Sequence, residues 1–558
     1  MHQPTAAQTI FDRLKTQKIY CSPHMLLMLV VMYIFVAFND TFWTKGLEVF
    51  GGHIAQLILF YAAIFLLTMA FFALFALPYV LRPFLAFVLI LGAVTSYYMD
   101  NLGVIIDRDM IQNVVTTTLT ESKHLLTAAF ILHVAVFGAL PALVVLLFFR
   151  VKPQRRWMAI ISPVATCAVC LALAVGLLMS NFKTYSSILR ERKDLMSSYQ
   201  PGAPIVAAIR YAKMMTRSVN VVVAPIGEDA RKGSVYQTNS KPTLTIIVAG
   251  ETARSQNFSL NGYGIDTNPE LSKKDVVSFT NVTSCGTATA TSLPCMFSKY
   301  TKDDYSYDKG ISTESLLDVL AHAGFHVEWW DNNTGDKGVA ARLPVQFFTN
   351  SDNPEHCSAG ECDDGILLEH LRSYLPTITQ DTVLVLHQIG SHGPAYYLRY
   401  PEAFDKFKPA CRTAEFKDCT AAEITNAYDN SIAYTDFILS QTIDLLAGQD
   451  NLATSLLYVS DHGESLGEGG LYLHGSPYFM APEFQTKVPM IFWMSDAYKQ
   501  QMALSGSCVK GKSDKAFSHD NLFHSVLGMM HVQTNVYQAA LDLFSGCAEQ
   551  TLVVKSDG

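Results

Sequence analysis

Residues 455–475 read SLLYVSDHGESLGEGGLYLHG. The first five residues form a short, mostly apolar run of the kind that makes a buried parallel strand. Asp461 and His462 follow this run almost directly, and a second histidine, His474, closes the stretch. In open α/β sheets, ligands bind outside the carboxyl ends of the strands. The stretch therefore predicts an α/β domain with a site at the end of this strand.

Other parts of the chain after residue 242 repeat the pattern. Helix-like stretches at 315–322 and 427–447 separate the apolar runs, which gives a βαβ alternation and predicts a mostly parallel sheet. The further runs expected to be buried parallel strands are 244–249 (LTIIVA), 382–387 (TVLVLH) and 488–493 (VPMIFW).

Carboxylates and imidazoles follow several of these strands. Glu251 comes after the run 244–249, and the run 382–387 leads into His387 and His392. Oxygen and nitrogen ligands without thiolate suit zinc or another divalent metal in an incompletely filled catalytic site. Burial of Asp461 beside His462 would cost on the order of a few kcal/mol without a partner, which favours these two as ligands. Glu251 is a further candidate. His392 and His474 could support the ligands or could contact substrate, and His387 is expected to be structural.

A cysteine-bracketed stretch, residues 284–295 (SCGTATATSLPC), offers a hydroxyl nucleophile. A divalent metal lowers the pKa of a nearby hydroxyl and neutralises charge on a phosphoryl group. Gly286 permits close backbone approach, and a threonine that begins the following helix would meet free amide donors suited to phosphate. The spacing alone leaves both Thr287 and Thr289 open. Asn333 and Lys337 could bind the same phosphate or headgroup, or could simply form a polar turn.

The first 180 residues are expected to form a membrane domain. The chain is 50% hydrophobic and only 16% charged, and the apolar residues concentrate in this part. Lys and Arg cluster in alternate loops, which predicts a cytoplasmic N-terminus and places everything after about residue 180 outside. The five segments long enough to span the bilayer are 25–43, 54–77, 84–99, 125–149 and 157–179.

Two polar segments interrupt or follow these spans. The outer loop, residues 100–123, would place Asn113, Thr117 and Glu121 on one face if 110–121 is a single helix. That face could bind a lipid headgroup, or it could simply be a solvated helix face. Residues 181–221 are expected to form an amphipathic connector at the membrane surface, followed by a loose polar linker at 229–242.

The net charge of -8 with no basic tract makes nucleic acid an unexpected partner.

Cysteine usage indicates an oxidising compartment. Eight of the eleven cysteines follow residue 280, and several lie close together in pairs. A zinc-thiolate site is the weaker interpretation because no CxxC…CxxC pattern is present. The expected bonds are Cys285–Cys295, Cys357–Cys362 and Cys411–Cys419, with Cys508–Cys547 following by elimination.

Five motifs in order resemble those of the lipid A phosphoethanolamine transferases, which include the mobile colistin-resistance enzymes. The resemblance extends over essentially the whole chain, spans and outer loop included. The pair Cys357–Cys362 encloses a shorter gap than in some relatives, and Cys508–Cys547 has no clear match. The motifs are 248–264 (VAGETARSQNFSLNGYG), 284–298 (SCGTATATSLPCMFS), 330–338 (WDNNTGDKG), 387–397 (HQIGSHGPAYY) and 460–475 (SDHGESLGEGGLYLHG).

The resemblance implies an α-helical domain of five transmembrane helices (1–180), the connector and linker (181–242), and an α/β/α alkaline-phosphatase-like, sulfatase-type domain (243–558) in the periplasm. It implies a monomeric enzyme of the bacterial inner membrane with phosphatidylethanolamine as donor. A threonine would attack the donor, diacylglycerol would leave, and a phosphate of lipid A or the lipopolysaccharide inner core would accept the phosphoethanolamine. The lowered surface charge would confer polymyxin resistance.

The same resemblance assigns roles to residues. The nucleophile is Thr289, and the Zn²⁺ ligands are Glu251, Thr289, Asp461 and His462. The substrate-binding positions are Thr287, Asn333, Lys337, His392 and His474, with Asn113, Thr117 and Glu121 in the outer loop.

Other functions fit parts of the pattern. Relatives of this fold could transfer phosphoethanolamine or glycerol phosphate to another envelope glycan, or hydrolyse sulfate esters. A catalytically inactive lipid-binding membrane protein is a further alternative, against which the intact set of Thr289, Glu251, Asp461 and His462 argues.

Overall fold

The computed structural model describes residues 18–117, 119–218, 221–237, 241–349, 351–358 and 360–548, with only the backbone of 119–121. The chain divides into two compact units. The first combines the described part of Met1–Arg108 with Leu126–Arg210, and the second combines Asp109–Leu125 with the described part of Tyr211–Gly558. By its contacts, most of the outer loop thus belongs to the second unit.

The first unit is helical. Among the described residues, four helices are long and apolar enough to cross a membrane, or five if one bent pair counts as a single span. The four are Ile54–Ala73, Leu81–Leu102, Ala128–Leu147 and Arg156–Ser180; the pair is Pro23–Ala37 with Asp40–Phe50.

The first expected span, 25–43, is therefore not one straight helix. The two helices of the pair meet at an angle of 71°. Buried Asn39 lies at the break, where its side-chain amide donates to the carbonyls of Ile34 and Gln200, both at 3.0 Å, and its side-chain oxygen accepts from the Gln200 amide at 2.8 Å. A polar side chain that competes for backbone groups in this way interrupts a helix.

The connector is helical, and part of the expected linker is fixed. Residues 182–217 form the helices Phe182–Glu191, Lys193–Ser197 and Gly202–Arg217. The prediction of a loose linker at 229–242 is wrong for its first part, because Arg231–Lys232 pairs antiparallel with Val532–Gln533. Asp229 also accepts hydrogen bonds from the Thr534 hydroxyl and the Asn535 amide at 2.9 and 2.7 Å.

The second unit is built on an eight-stranded sheet with the order β8-β2-β7-β6-β1-β5-β3-β4. In chain order, its strands are β1 (Thr243–Gly250), β2 (Val277–Thr283), β3 (His326–Asp331), β4 (Val345–Phe347), β5 (Thr382–His387), β6 (Ala453–Ser460), β7 (Lys487–Met494) and β8 (Phe517–Ser518). The five neighbours from β6 to β4 are parallel. β7 pairs antiparallel with both β6 and β2, so the expectation that 488–493 is a parallel strand is wrong.

Helices connect and cover these strands. The two predicted at 315–322 and 427–447 are present with shifted starts, because Ser315 and Thr420 act as N-caps in capping boxes. On one face of the sheet, Ile247 and Ala249 pack in a buried apolar cluster with Leu320 and Phe523. The helices are Thr289–Met296, Tyr307–Ile311, Leu316–His322, Gly365–Tyr374, Ala421–Ala447, Glu483–Thr486, Asp496–Gln501, Gly506–Lys510 and Leu522–Met529.

The outer loop is not one helix across 110–121. One helix spans Arg108–Thr116, Thr117 lies in a bend, and a second helix begins at Leu119 and ends at Leu125. The hydroxyls of Thr116 and Thr117 donate back to the carbonyls of Gln112 and Asn113 at 3.0 and 2.7 Å. A run of β-branched residues whose hydroxyls compete for the backbone weakens a helix at this point. The expected common face of Asn113, Thr117 and Glu121 is therefore broken, and the side chain of Glu121 lies outside the described residues.

All four expected disulfides are present in the second unit: Cys285–Cys295, Cys357–Cys362, Cys411–Cys419 and Cys508–Cys547. The cysteines of the first unit, Cys21, Cys167 and Cys170, are free thiols.

Candidate metal centre and nucleophile

Two neighbouring strands bring the candidate ligands together. β1 and β6 are parallel partners in register up to Gly250 and Ser460. Glu251 follows the first of these residues and Asp461 and His462 follow the second, so sheet topology fixes all three at one edge. All three side chains are buried. One ligand atom from each lies within 4.8 Å of the others, the spacing of a metal site.

Thr289 completes this group. It begins the helix Thr289–Met296, and its hydroxyl lies 3.0 and 3.2 Å from the two carboxylate oxygens of Glu251. The same hydroxyl is 3.3 Å from Nε2 of His462. Nε2 in turn lies 3.3 Å from Glu251 Oε1 and 3.4 Å from Asp461 Oδ2. Four side chains thus converge on one small volume.

The donor atoms fit a divalent metal. Asp461 Oδ1 accepts from the backbone amides of Thr252 and His462 at 3.1 and 2.7 Å, whereas its buried Oδ2 has no hydrogen-bond partner among the described residues. His462 Nδ1 lies 2.9 Å from the carbonyl of Gly463, which assigns its proton to Nδ1 and leaves the lone pair of Nε2 facing the carboxylates. An orphaned carboxylate oxygen and a directed imidazole are groups that a zinc ion would satisfy.

The charges support the same interpretation. Burial alone would lower the pKa of His462, but the Asp461 and Glu251 carboxylates raise it to about 10. Burial and the charge of Glu251 raise the pKa of Asp461. Two carboxylates around one imidazole leave the centre short of positive charge, so the imidazole retains a proton unless another cation takes its place.

Asn333 and Gly390 hold Glu251 in position. The side-chain amide of Asn333 donates to Glu251 Oε2 at 2.8 Å and to the carbonyl of Gln388 at 2.9 Å. Gly390 has a φ of +50°, and a Cβ on it would lie 2.6 Å from the carbonyl oxygen of Glu251. Asn333 therefore orients a candidate ligand. Buried His387 lies beneath it, paired with Asp331 at 2.8 Å, which fits the structural role expected for it.

Ser292 connects the turn before Thr289 to the candidate metal centre by hydrogen bonds. The hydroxyl of Ser292 donates to the carbonyl of Asp461 at 2.5 Å and accepts from the Gly286 amide at 3.2 Å. A Cβ on Gly286 would lie 3.0 Å from the backbone nitrogen of Ser292, so a larger residue would push the turn away. The sequence reasoning missed Ser292; its position one helical turn after the nucleophile was the available signal.

The three threonines of this stretch have different environments. The hydroxyl of Thr287 donates to the carbonyl of Ser476 at 2.6 Å, and its own carbonyl accepts from the Gly475 amide at 2.7 Å. Thr287 thus ties the turn to the segment that carries His474. Only Thr289 is hydrogen-bonded to the candidate ligands, and no contact of Thr291 with them is seen among the described residues.

His474 and His392 lie beside the centre. The ring centroids of His462 and His474 are 4.4 Å apart, and those of His474 and His392 are 5.6 Å apart. Fully buried Glu464 accepts from His474 Nδ1 at 2.9 Å and from the hydroxyl of Tyr396 at 2.6 Å. Glu464 therefore directs His474. It was missed although it stands in the same DHGES run as two predicted ligands.

Lys337 and the outer loop lie at the edge of this region. Lys337 Nζ donates to the carbonyl of Thr334 at 2.7 Å and to that of Thr116 at 3.3 Å. The side-chain amide of Gln112 donates at 3.3 Å to the carbonyl of Ala290, the residue after Thr289. The outer loop thus contacts the helix Thr289–Met296 through Gln112, whereas Asn113 and Thr117 make the local contact described above.

Comparison with known proteins gives a consistent result. Residues 243–532 match the sulfatase family, and residues 64–215 match a family described as phosphoethanolamine transferase EptA/EptB. The chain is 41% identical to phosphoethanolamine transferase EptA of Escherichia coli K12 over 84% of its length and 85% of that protein. It is 38% identical to phosphatidylethanolamine transferase Mcr-1 of E. coli over 85% of its length and 90% of that protein.

Its structure is similar to that of the integral membrane protein lipooligosaccharide phosphoethanolamine transferase A (EptA) of Neisseria meningitidis. The TM-score is 0.91 at 35% identity, covering 95% of this chain and 99% of the other. Both units therefore have a counterpart in one known protein.

Proposed function

Because this chain belongs to the lipid A phosphoethanolamine transferase family, we propose that it transfers phosphoethanolamine from phosphatidylethanolamine to a phosphate of lipid A or of the lipopolysaccharide inner core. The observation that carries the proposal is the position of Thr289. Its hydroxyl lies within 3.3 Å of Glu251 and His462, in a buried centre with an orphaned carboxylate oxygen on Asp461.

In the first half-reaction, the hydroxyl of Thr289 is the nucleophile. It donates to the Glu251 carboxylate at 3.0 Å, which orients the oxygen and provides a place for its proton. The Thr289 oxygen forms a bond to the donor's phosphorus while the bond from phosphorus to the glycerol oxygen breaks. Diacylglycerol leaves with a proton, and phosphoethanolamine remains on Thr289.

Glu251, Thr289, Asp461 and His462 would hold a zinc ion. When bound, zinc lowers the pKa of the threonine hydroxyl and neutralises charge on the phosphoryl oxygens. The protein fixes the geometry of these ligands through Asn333 on Glu251 and the Gly463 carbonyl on His462. Rigidly positioned ligands favour a high rate, because a displacement of the reacting groups by about an ångström lowers the rate substantially.

In the second half-reaction, a phosphate oxygen of the acceptor attacks the same phosphorus. The new P–O bond forms as the bond to Thr289 breaks, and the threonine regains a proton. Lys337, His392 and His474 are the groups we assign to the phosphate and headgroup. Glu464 supports this role of His474 because it holds Nδ1 at 2.9 Å and leaves Nε2 free to face substrate.

We infer the cellular setting from the family. The four or five apolar helices anchor the enzyme in the bacterial inner membrane. The clustering of Lys and Arg and the four disulfides support a periplasmic catalytic unit and a cytoplasmic N-terminus. A monomer suffices for the reaction, since the described residues of one chain supply the whole proposed centre. Added phosphoethanolamine would lower the negative charge of the outer surface and protect against polymyxins.

The test uses the purified full-length protein in detergent with fluorescent phosphatidylethanolamine. We expect a burst of diacylglycerol and a phosphoethanolamine adduct on the peptide containing Thr289. Thr289→Ala should abolish both, whereas Thr289→Ser should retain a measurable burst as the matched control. A Thr289→Ala variant with unchanged turnover would remove the nucleophile assignment. Mass spectrometry of lipid A from expressing cells should show one added phosphoethanolamine; modification of core sugars alone would change the acceptor.

A further inference from the structure

A pocket of about 320 Å³ lies beside the nucleophile helix, entirely within the second unit. Ala290 and Pro294, one turn apart on the helix Thr289–Met296, line one wall. Gln112 and Thr116, one turn apart on the outer-loop helix, line another. The volume is at the lower end of the range of about 300–1,000 Å³ for small-molecule sites. Ala290 directly follows Thr289 in the chain, so the pocket borders the helix that carries the candidate nucleophile.

The remaining walls are rich in polar groups. Glu314 is hydrogen-bonded through Oε2 alone among the described residues, to the Ile226 amide at 3.0 Å and to His322 Nε2 at 2.8 Å. Its Oε1 can therefore accept from a ligand hydroxyl. Thr313, whose hydroxyl lies 3.4 Å from that of Tyr300, also lines the pocket, and so does Lys337, which carries a positive charge.

Two tyrosines add hydroxyl donors with flat apolar rings. Tyr305 and Tyr307 both line the pocket, and the Tyr305 hydroxyl makes no hydrogen bond with the described residues. Gly310, across from it, leaves no room for a side chain beside the Tyr305 ring. Burial raises the pKa of Tyr305, so its hydroxyl remains a neutral donor. A hydroxyl that lines the pocket without a protein partner can hydrogen-bond to a polar ligand that enters.

These features fit a sugar better than a lipid tail. Acyl chains need an apolar surface, whereas this lining offers carboxylate, hydroxyl and ammonium groups around two aromatic rings. Ring hydroxyls can pair with Glu314, Thr313 and Tyr305, and a sugar phosphate can pair with the ammonium of Lys337. The esterified glycerol of the donor has no free hydroxyl to use this lining.

We propose that this pocket, the acceptor pocket (Ala290, Tyr305, Tyr307, Thr313, Glu314, Lys337), binds the phosphorylated sugar that receives phosphoethanolamine; the inference rests on the transfer proposed above. The sugar phosphate enters after diacylglycerol has left. Its phosphate oxygen bonds to the phosphorus on Thr289, the bond from phosphorus to the Thr289 oxygen breaks, and the proton of the acceptor phosphate passes to the threonine oxygen.

The two half-reactions separate the roles of donor and acceptor. Ile311 is a further residue of the pocket lining. Full-length wild type, Ile311→Trp and Tyr305→Phe are compared in detergent; the tryptophan fills the pocket from one side, and the phenylalanine removes only a hydroxyl. The first measurement is the burst of diacylglycerol from fluorescent phosphatidylethanolamine without acceptor. The second is transfer from the phosphoethanolamine-labelled enzyme to lipid A and to glucosamine 1-phosphate. Ile265→Trp, at a surface position outside the pocket, and Tyr374→Phe are the matched controls.

We expect Ile311→Trp to retain the burst and to lose transfer by more than about tenfold. Tyr305→Phe should raise the KM for glucosamine 1-phosphate with the burst unchanged, and both controls should behave as wild type. Equal loss of both half-reactions in a folded Ile311→Trp variant, or no loss of either in both variants, overturns the proposal. Transfer to inorganic phosphate as fast as to the sugar phosphate also overturns it. A wild type that gives no burst at all contradicts the proposed function instead.

Discussion

The metal centre and the outer-loop helix Arg108–Thr116 contribute to the same region in different ways. Glu251, Asp461 and His462 are completely or almost completely buried and are fixed by the ends of two paired strands. The outer-loop helix reaches the catalytic unit through a few contacts, such as Gln112 to the Ala290 carbonyl and Lys337 to the Thr116 carbonyl. The candidate metal centre thus depends on the sheet, whereas the outer-loop helix is held against the helix Thr289–Met296 from outside the sheet.

The largest effect is expected at the centre itself. Asp461→Asn keeps the shape of the side chain but removes the charge that a metal would need. We expect bound zinc, measured by elemental analysis, to fall well below one per chain and diacylglycerol release to fall by about 10²–10³-fold. Full zinc content in a folded Asp461→Asn protein would exclude Asp461 as a ligand.

A smaller loss is expected one contact away from the centre. In Glu464→Gln, His474 loses the carboxylate that orients its Nδ1. Loss of such a partner typically lowers activity or affinity about 10–100-fold, so we expect a fall in kcat with zinc content retained. The matched control is Glu483→Gln, on the helix Glu483–Thr486. Gln485 on the same helix is not a suitable control position, because its side chain accepts from the Ser476 amide in the segment that carries His474. Unchanged kcat in Glu464→Gln would leave His474 without a positioned role.

Anchoring of the outer loop should have a still smaller effect. His124 and buried Arg399 contact Glu361 Oε2 at 3.2 and 2.9 Å, and Glu361 lies on the hairpin closed by Cys357–Cys362. In Glu361→Gln, we expect the contact that anchors the outer loop to lose roughly 1 kcal/mol of free energy. This corresponds to about a fivefold rise in the KM for the donor, with kcat nearly unchanged. Trypsin should also cleave after Lys123 faster than in wild type. Normal cleavage and KM would mean that this anchor does not hold the loop.

The pH dependence of this anchor follows from Glu361. Burial would raise the pKa of Glu361, but His124 and Arg399 lower it to about 2. A lowered carboxylate pKa stabilises the fold fully above the unfolded value of about 4.3 and loses that contribution as pH falls towards 2. Between pH 5 and 8, the protection of Lys123 from trypsin should therefore show no change from titration of Glu361.

The smallest effect is expected at an exposed ion pair away from both regions. Lys274 and Asp444 are 2.5 Å apart, but the Asp444 side chain is half exposed. Asp444→Asn should change the free energy of unfolding by less than about 0.5 kcal/mol and leave both half-reactions unchanged. A larger change, measured by denaturant unfolding, would show that activity losses elsewhere cannot be assigned to local contacts.

The sequence predicted that Glu251, Asp461 and His462 would lie together, because strand ends are determined by local pattern. The four expected strands lie within β1, β5, β6 and β7, and the residues that follow β1 and β6 meet because these strands are neighbours. The direction of β7 could not be read in the same way, since a fully buried strand has the same apolar pattern in a parallel or an antiparallel pair. The choice of Thr289 over Thr287 came from the family resemblance, and the hydrogen bonds agree with it.

Features that depend on long-range contacts were missed or wrong. The break at Asn39 depends on Gln200, which lies 161 residues away. The linker at Asp229 is fixed by residues 534 and 535, again far away in sequence. The outer-loop break at Thr117 could have been anticipated, because the run of valines and threonines from Val114 onward is a poor helix former.

Among the described residues, Oδ2 of Asp461 has no hydrogen-bond partner, and this would make the proposed metal part of the thermodynamics of folding. A buried carboxylate oxygen without a donor destabilises the native state, whereas the unfolded state does not have this free-energy cost. A cation that binds only the native state stabilises it by about 4 kcal/mol at a free concentration 1,000 times its Kd. If the proposed zinc binds at this centre, the melting temperature of the protein should rise with the free zinc concentration, and a chelator should shorten the lifetime of the fold as well as lower the proposed transfer activity.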